Sequence, residues 1–173
     1  MTSASGFSLR LATIDDAEAI RAIYNHEVEH TTATFDLIPR SLQDQREWLS
    51  ARSGAFSAIV AVDDASGEVL GFSSLSPYKE RAAYRTSVED SVYVRRDAHG
   101  RGIGTVLLNH VLDLAADSGF HAVMARIEAS GTASRALHAS CGFVLVGIER
   151  EIGRKFNRWL DVALMQCLLH ERS

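Results

Sequence analysis

Apolar and polar positions alternate first at Phe7, Leu9 and Leu11, set against Ser8, Arg10 and Ala12, and this period of two predicts an opening strand. Behind the capping pair Thr13 and Asp16, the residues Ala17, Ile20, Ile23, Tyr24 and Val28 recur at helical spacing, so a helix is expected directly after it. Ser41 with Asp44 marks a second capped start, followed by a weaker stripe of Leu42, Gln45, Trp48 and Leu49 to about Arg52. Phe56 to Val62 and Val69 to Leu75 are apolar runs joined by Asp63-Asp64-Ala65-Ser66-Gly67-Glu68, a loop whose composition predicts an antiparallel hairpin. From Ser87 to Val94 the chain alternates again. Val88, Val92 and Val94 fall on one face, and Glu89, Ser91 and Tyr93 on the other. Ile103, Val106, Leu107, His110, Val111, Leu114 and Ala115 then form a long helical stripe closed by Ser118-Gly119. A strand over Ala122 to Ile127, a short helix marked by Ala133, Ala136, Leu137 and Cys141, and strands over Val144 to Ile148 and Leu160 to Leu168 follow. The interleaving predicts a mixed α/β fold around one sheet.

Composition narrows the class without changing that picture. A chain of 173 residues, 46% hydrophobic and 23% charged, fits one globular domain and neither a disordered nor a fibrous protein. No repeat or linker divides it, so residues 7–169 are expected to form one domain, with 1–6 and 170–173 as short tails. The formal net charge of −4 speaks against nucleic acid as a partner. Ala58 to Val62 is the longest apolar run, far short of a membrane span. The start Met1 to Gly6 has no leader pattern, and the expected location is the cytoplasm. Cys141 and Cys167 lack CxxC spacing and are expected to be buried free thiols. No metal is expected, because His26, His30, His110, His121 and His170 show no ligand spacing.

Candidate chemistry begins with His99-Gly100-Arg101-Gly102-Ile103-Gly104, a glycine-rich turn between a strand and a long helix. Backbone N–H groups at a helix start attract an anion, and glycine lets the backbone approach it. A tight strand-to-helix turn also needs glycine for steric reasons alone. No Walker Gly-Lys-Ser/Thr occurs, and a dinucleotide GxGxxG begun at Gly100 fails at Thr105, although Glu128 could imitate that motif's acidic ribose ligand. Upstream, Lys79, Arg81 and Arg85, with Glu80 among them, precede Glu89. Clustered cations suit a carboxylate or phosphinate.

With His99-x-x-Gly102-x-Gly104 in the place of an Arg/Gln-x-x-Gly-x-Gly/Ala signature, the chain resembles the GNAT superfamily of acyl-CoA-dependent N-acetyltransferases. Ile23-Tyr24-Asn25-His26, Pro77 to Tyr84, Val88 to Val94, Arg135-Ala136-Leu137-His138 with Gly142-Phe143, and Trp159-x-Asp161 are similar to its phosphinothricin and methionine sulfoximine acetyltransferase branch. The resemblance spans about Leu9 to Leu168. It implies a central mixed, mostly antiparallel sheet flanked by helices, acetyl-CoA as co-substrate, a small-molecule amine as acceptor, and a homodimer. It also implies site residues. Gly100, Arg101, Gly102, Ile103, Gly104, Thr105 and Ser134 would hold the cofactor, and a bulge at Val92, Tyr93 and Val94 would offer backbone groups to the pantetheine arm and the thioester oxygen. Glu89 would be the general base, Tyr93 a further catalytic group, and His138 the proton donor to the thiolate or an orienting group. Lys79, Glu80, Arg81, Arg85, Phe35, Asp90 and Ser91 would meet the acceptor, with Lys155 to Trp159 as a further wall. Gly131 and Thr132 stand where relatives often carry a cofactor-holding asparagine. The implied reaction acetylates the α-amine of an amino-acid-like molecule. The same chemistry on a polyamine or a protein N-terminus, an acyl-CoA-binding module without turnover, and a dinucleotide-dependent oxidoreductase are the alternatives.

Overall fold

In the computed structural model, which describes residues 6–172, seven strands form one sheet in the order β1-β2-β3-β4-β5-β7-β6. These are β1 (Phe7–Leu11), β2 (Ile59–Asp63), β3 (Val69–Pro77), β4 (Ser87–Val94), β5 (Ala122–Glu128), β6 (Val144–Lys155) and β7 (Arg158–Leu168). Only β4 and β5 run parallel; every other neighbouring pair is antiparallel. Two parallel neighbours need a crossover, and α3 (Ile103–Asp117) supplies it between β4 and β5. The fold is thus the mixed, mostly antiparallel sheet flanked by helices. Residues 1–5, read above for a leader, lie outside the described residues.

The two sheet faces carry separate cores. On one, Leu107, Leu108, Val111 and Leu112 of α3 pack on Leu70, Leu75, Val88 and Val123. On the other, Ile20, Ile23, Tyr24 and Val28 of α1 (Ala17–His30) cover Val60, Val69 and Phe72, with Trp48 and Leu49 of α2 (Leu42–Ser50) beside them. Both capping signals are realised. Thr13 N donates to Asp16 Oδ2 at 2.7 Å over a 3-10 turn that leads into α1, and Ser41 Oγ accepts from Asp44 N at 3.0 Å.

Several expectations shift by a residue or more. The buried stripe of α3 runs through Ile103, Leu107, Leu108, Val111, Leu112 and Ala115, while Val106 and His110 face outward, a rotation that seats Leu108 and Leu112 on the sheet. The first hairpin strand begins at Ile59 because Gly54–Phe56 closes a 3-10 turn that sends the Phe56 ring onto Phe120, centroids 5.9 Å apart. The largest difference is in the last hairpin. β6 continues to Lys155 and β7 starts at Arg158, the turn between them closed by Phe156 and Asn157 at φ 49 and 58. Its polar half, shifted in register between Glu149 and Gly153, is mostly exposed, so no apolar alternation marks it in the sequence. Within the expected C-terminal tail, Arg172 donates to Asp113 at 2.8 Å and to Asn109 at 3.1 Å on α3.

Gly71 of β3 marks the tightest backbone approach in this arrangement. A Cβ there would stand 2.8 Å from the Tyr93 carbonyl oxygen and 3.2 Å from Leu107. Gly71→Ala is expected to push β4 away from β3 and to cost about 1–3 kcal/mol, the scale of overpacking. A lower urea midpoint with an unchanged slope is the measurement that checks it.

Candidate active site

β4 and β5 pair over only three positions, Ser87↔Ala122, Val88↔Val123 and Glu89↔Met124, and then part. On its other edge β4 follows β3 without a break from Pro77↔Val88 to Gly71↔Val94, and Arg95 N donates to Leu70 O at 2.7 Å. The alternation of an antiparallel ladder therefore turns the peptide groups of Glu89, Ser91 and Tyr93 toward β3, and those of Asp90, Val92 and Val94 toward the gap. The expected bulge is absent from this pairing. Backbone reaches the cleft because its neighbour leaves, and the residues that offer it are Val92 and Val94; the peptide of Tyr93 points away.

The cleft has a volume of about 730 Å³ and runs from the start of α3 to the parting point. Gly100 and Gly102 adopt φ of 79 and 77, which side-chain-bearing residues rarely take, and Gly102 caps α3 with no side-chain acceptor. The first-turn N–H groups of α3 therefore open onto the cleft without a capping partner, as an anion site requires. Gly100, Gly102, Ile103, Gly104 and Thr105 line it, joined by Ser134 and Leu137 of α4 (Thr132–Ser140). Arg101 turns away, its guanidinium 3.3 Å from Asp63. His99, also on the wall, donates from Nε2 to Val94 O at 3.0 Å. At Gly131 a Cβ would come within 3.0 Å of the Glu128 carbonyl, so the tight turn into α4 has little room for an asparagine.

At the parting point the consecutive residues Glu89 and Asp90 face opposite sides of the sheet, and each meets a cation. Asp90 faces α4, where its Oδ2 accepts from His138 Nε2 at 2.9 Å, while His138 Nδ1 donates to Ser134 O at 2.8 Å. Both side chains are sealed, 6% and 2% exposed for His138 and Asp90. Burial presses the imidazole pKa down, but the Asp90 carboxylate and then the Ser134 carbonyl outweigh it, so the net shift is upward. Oxygens face both ring nitrogens, an arrangement that favours the doubly protonated form. The Asp90 carboxylate is thereby directed at His138 and not at the face where Glu89 stands. Glu89 accepts both bonds of the Arg126 fork, Nε at 3.1 Å and Nη2 at 3.0 Å.

Tyr93 shares the face of Glu89 but lies in the floor. Its ring stacks on Phe72 at 5.3 Å and meets Tyr24 edge-on at 5.2 Å. Burial drives its hydroxyl far above the ordinary phenol range, an unsuitable state for proton transfer at neutral pH. Ser91 lies half-buried on the wall.

The segment after α1 forms the rim and is tied down at several points. Glu27 accepts from Arg96 at 3.0 and 2.7 Å and from Thr31 Oγ1 at 2.6 Å. Lys155 Nζ, buried and with its pKa pushed down by that burial, donates to Thr34 O at 2.8 Å. Phe35 occupies the space above Gly153, where a Cβ would stand 2.2 Å from its ring, so Phe35 packs on the β6–β7 hairpin rather than in the cleft wall. Lys79, Glu80, Arg81 and Arg85 are exposed in the connection between β3 and β4, outside the cleft wall, with Lys79 Nζ near the rings of Tyr78 and Tyr84 at 4.9 and 5.1 Å. Glu128, the acid that a dinucleotide would need, is taken by Thr32 Oγ1 at 3.0 Å and by Ser130.

Arg126, Arg96 and Glu27 were not among the residues singled out from sequence, and Lys155, expected in a wall with Phe156 to Trp159, lies outside the cleft lining. Arg126 did leave a signal, a cation in the middle of an otherwise apolar strand.

Asp90→Asn is expected to lower the His138 pKa, because burial then acts unopposed, and an NMR titration of the imidazole Cε1–H reads it. Removing one member of a buried pair costs about 3 kcal/mol or more. The pair's contribution is full below the ordinary histidine value of about 6.5 and fades as pH rises through the raised folded value. Stability measured against pH should lose that decline in Asp90→Asn.

Comparison with known proteins places this geometry in a family. Residues 19–143 match the model of the acetyltransferase (GNAT) family. An L-methionine sulfoximine/L-methionine sulfone acetyltransferase of Pseudomonas paraeruginosa is 40% identical over 162 residues, 94% of each chain. A phosphinothricin acetyltransferase of Sinorhizobium meliloti, solved with acetyl-CoA, is 35% identical at a TM-score of 0.89, covering 94% of this chain and 88% of that one. A ribosomal-protein-alanine N-acetyltransferase of Brucella melitensis is 38% identical at 0.89, covering 93% and 99%. With a parted parallel pair, an uncapped helix start at the glycine turn and full-length relatives of this kind, the chain belongs to the GNAT family of acetyltransferases.

Proposed function

We propose that this protein transfers the acetyl group of acetyl-CoA to the α-amine of a small amino-acid-like acceptor of the methionine sulfoximine and phosphinothricin type, by direct attack of the amine on the thioester. The observation that carries the reading is one continuous cleft. It has an anion-receptive helix start at one end, the inward-turned peptides of Val92 and Val94 along its side, and a carboxylate, Glu89, at the parting point.

The first-turn amides of α3 hold the pyrophosphate. Of the inward-turned amides, that of Val92, nearer the parting point, donates to the thioester oxygen as charge develops there, an effect worth about 10²- to 10³-fold in comparable sites, and that of Val94 is left to the pantetheine arm. Glu89 takes the ammonium proton, which frees the nitrogen lone pair for attack. As the carbon–sulfur bond breaks, the doubly protonated His138 supplies the proton that the departing thiolate accepts. Lys79, Arg81 and Arg85 at the approach to the site attract an anionic acceptor. A protein N-terminus is the second reading, favoured by the Brucella relative, and it separates from the first because a peptide amine has no carboxylate on its own α-carbon. Exposed Val144, Leu145, Val146, Ile148 and Ile152 on the edge strand β6 support a homodimer, and the buried free thiols Cys141 and Cys167 support a cytoplasmic location.

Gly102→Glu sets a carboxylate against the expected phosphates and should raise the KM for acetyl-CoA strongly in a protein that circular dichroism shows to be folded. An unchanged KM would take the loop out of the site. Glu89→Gln keeps the shape without the basicity, and kcat at neutral pH should fall by about 10²-fold or more. The gap to wild type should narrow toward the amine pKa, where the acceptor is already deprotonated. A variant as fast as wild type across the pH range would assign the proton to another group.

A further inference from the structure

We infer that Arg126 is the receptor for the α-carboxylate of the acceptor, and that it holds Glu89 in a closed ion pair until an α-amino acid opens it. The inference rests on the acceptor class proposed above and names the residue that selects it.

β5 buries Val123, Ala125 and Ile127 on the α3 side, so Met124, Arg126 and Glu128 alternate onto the other face. Since Glu89 pairs with Met124, Arg126 stands one step further along the cleft on the face of Glu89. Both its fork bonds go to that carboxylate, and among the described residues Glu89 is its only ion-pair partner. Around the guanidinium lie Tyr78, from the β3–β4 connection, and Glu149 of β6. The pair is also reachable: the Arg126 side chain is 55% exposed and that of Glu89 21%, in contrast to the sealed pair on the opposite face.

A carboxylate held by both bonds of a guanidinium fork is not free to reach a substrate ammonium, which conflicts with the work assigned to Glu89. An α-amino acid resolves the conflict. Its carboxylate and ammonium, one carbon apart, match the guanidinium and carboxylate of the pair with charges reversed. On binding, the guanidinium moves its two bonds to the ligand carboxylate, and Glu89 is released toward the ammonium whose proton it then takes. One ion pair becomes two, and the total charge does not change. A plain amine or an amide offers the guanidinium no carboxylate in exchange and leaves Glu89 on Arg126, not free to reach the ammonium proton. Arg126 thus rewards the free α-carboxylate specifically, while the exposed loop cations are left for an acidic group further along the side chain.

The test compares kcat/KM for L-methionine sulfone and for its carboxamide in wild type, Arg126→Gln and Arg126→Lys. The expected result is a wild-type preference for the free acid that collapses in Arg126→Gln. The KM for the acid should rise about 10-fold or more, the scale of a charged double hydrogen bond, while the carboxamide is unchanged or improved. Arg126→Lys should recover part of the preference, since it keeps the charge without the fork. A residue that only supported the fold would lower both substrates alike. If wild type acetylates the acid and Arg126→Gln keeps the preference, Arg126 does not hold the carboxylate and the inference falls alone. Should wild type acetylate neither compound, or both equally, the acceptor class itself is wrong and the inference falls with it.

Discussion

Everything in the site follows from the brevity of one parallel contact. β4 and β5 stay together for three residue pairs and then diverge, so the far half of β4 presents one edge of its backbone to a cleft instead of to a strand. In a closed sheet those amides and carbonyls would be consumed by the ladder. Here they are left open to the cleft, held from behind by an unbroken register with β3. The crossover helix that a parallel pair requires also starts where β4 ends, so its uncapped amides fall at the mouth of the same cleft. One topological feature thereby supplies a track of backbone groups and an anion site aligned with it.

Two ion pairs mark the fork, one on each face, and their burial separates their roles. His138 reaches from α4, the helix that follows β5, to Asp90 at the first position beyond the parting, and so bridges the unit that leaves to the strand that stays. Sealed from water, such a pair is costly to break and acts as a rivet that also stores a proton. Arg126 and Glu89 make the equivalent contact on the other face within reach of solvent. Exposed pairs contribute little net stability and exchange partners readily. The same kind of contact is therefore closed to solvent on one side and available for exchange on the other.

Around the acceptor face the walls come from distant parts of the chain. The segment after α1 is pinned by Lys155 to the long hairpin, by Thr32 to Glu128 of β5 and, through Glu27, by Arg96 beyond β4. Phe35 has a place only because β6 carries glycine at position 153. These ties hold a stretch without regular structure in one position at the rim of the cleft.

The sequence by itself determined the elements that carry strong periodicity, the glycine turn before α3 and, through ordered motifs over nearly the whole chain, the family. Those signals are local: a helical stripe, a capping pair or a glycine at a forced turn is written in neighbouring residues. Alternation along Ser87 to Val94 was enough to place Glu89 and Tyr93 on one face. It could not tell that Tyr93 would be stacked into the floor, that Asp90 would be turned to a histidine 48 positions away, or that backbone exposure would come from a departing neighbour rather than a bulge. Nor could it extend the last hairpin, whose polar half is held by its partner strand and by contacts with the distant segment after α1. Partner choice for Glu89, and with it the proposed selection of a free α-carboxylate, depends on Arg126, 37 positions further along the chain. Tertiary structure alone decided it, because which charges meet depends on how strands register and where they part, and neither is a property of adjacent residues.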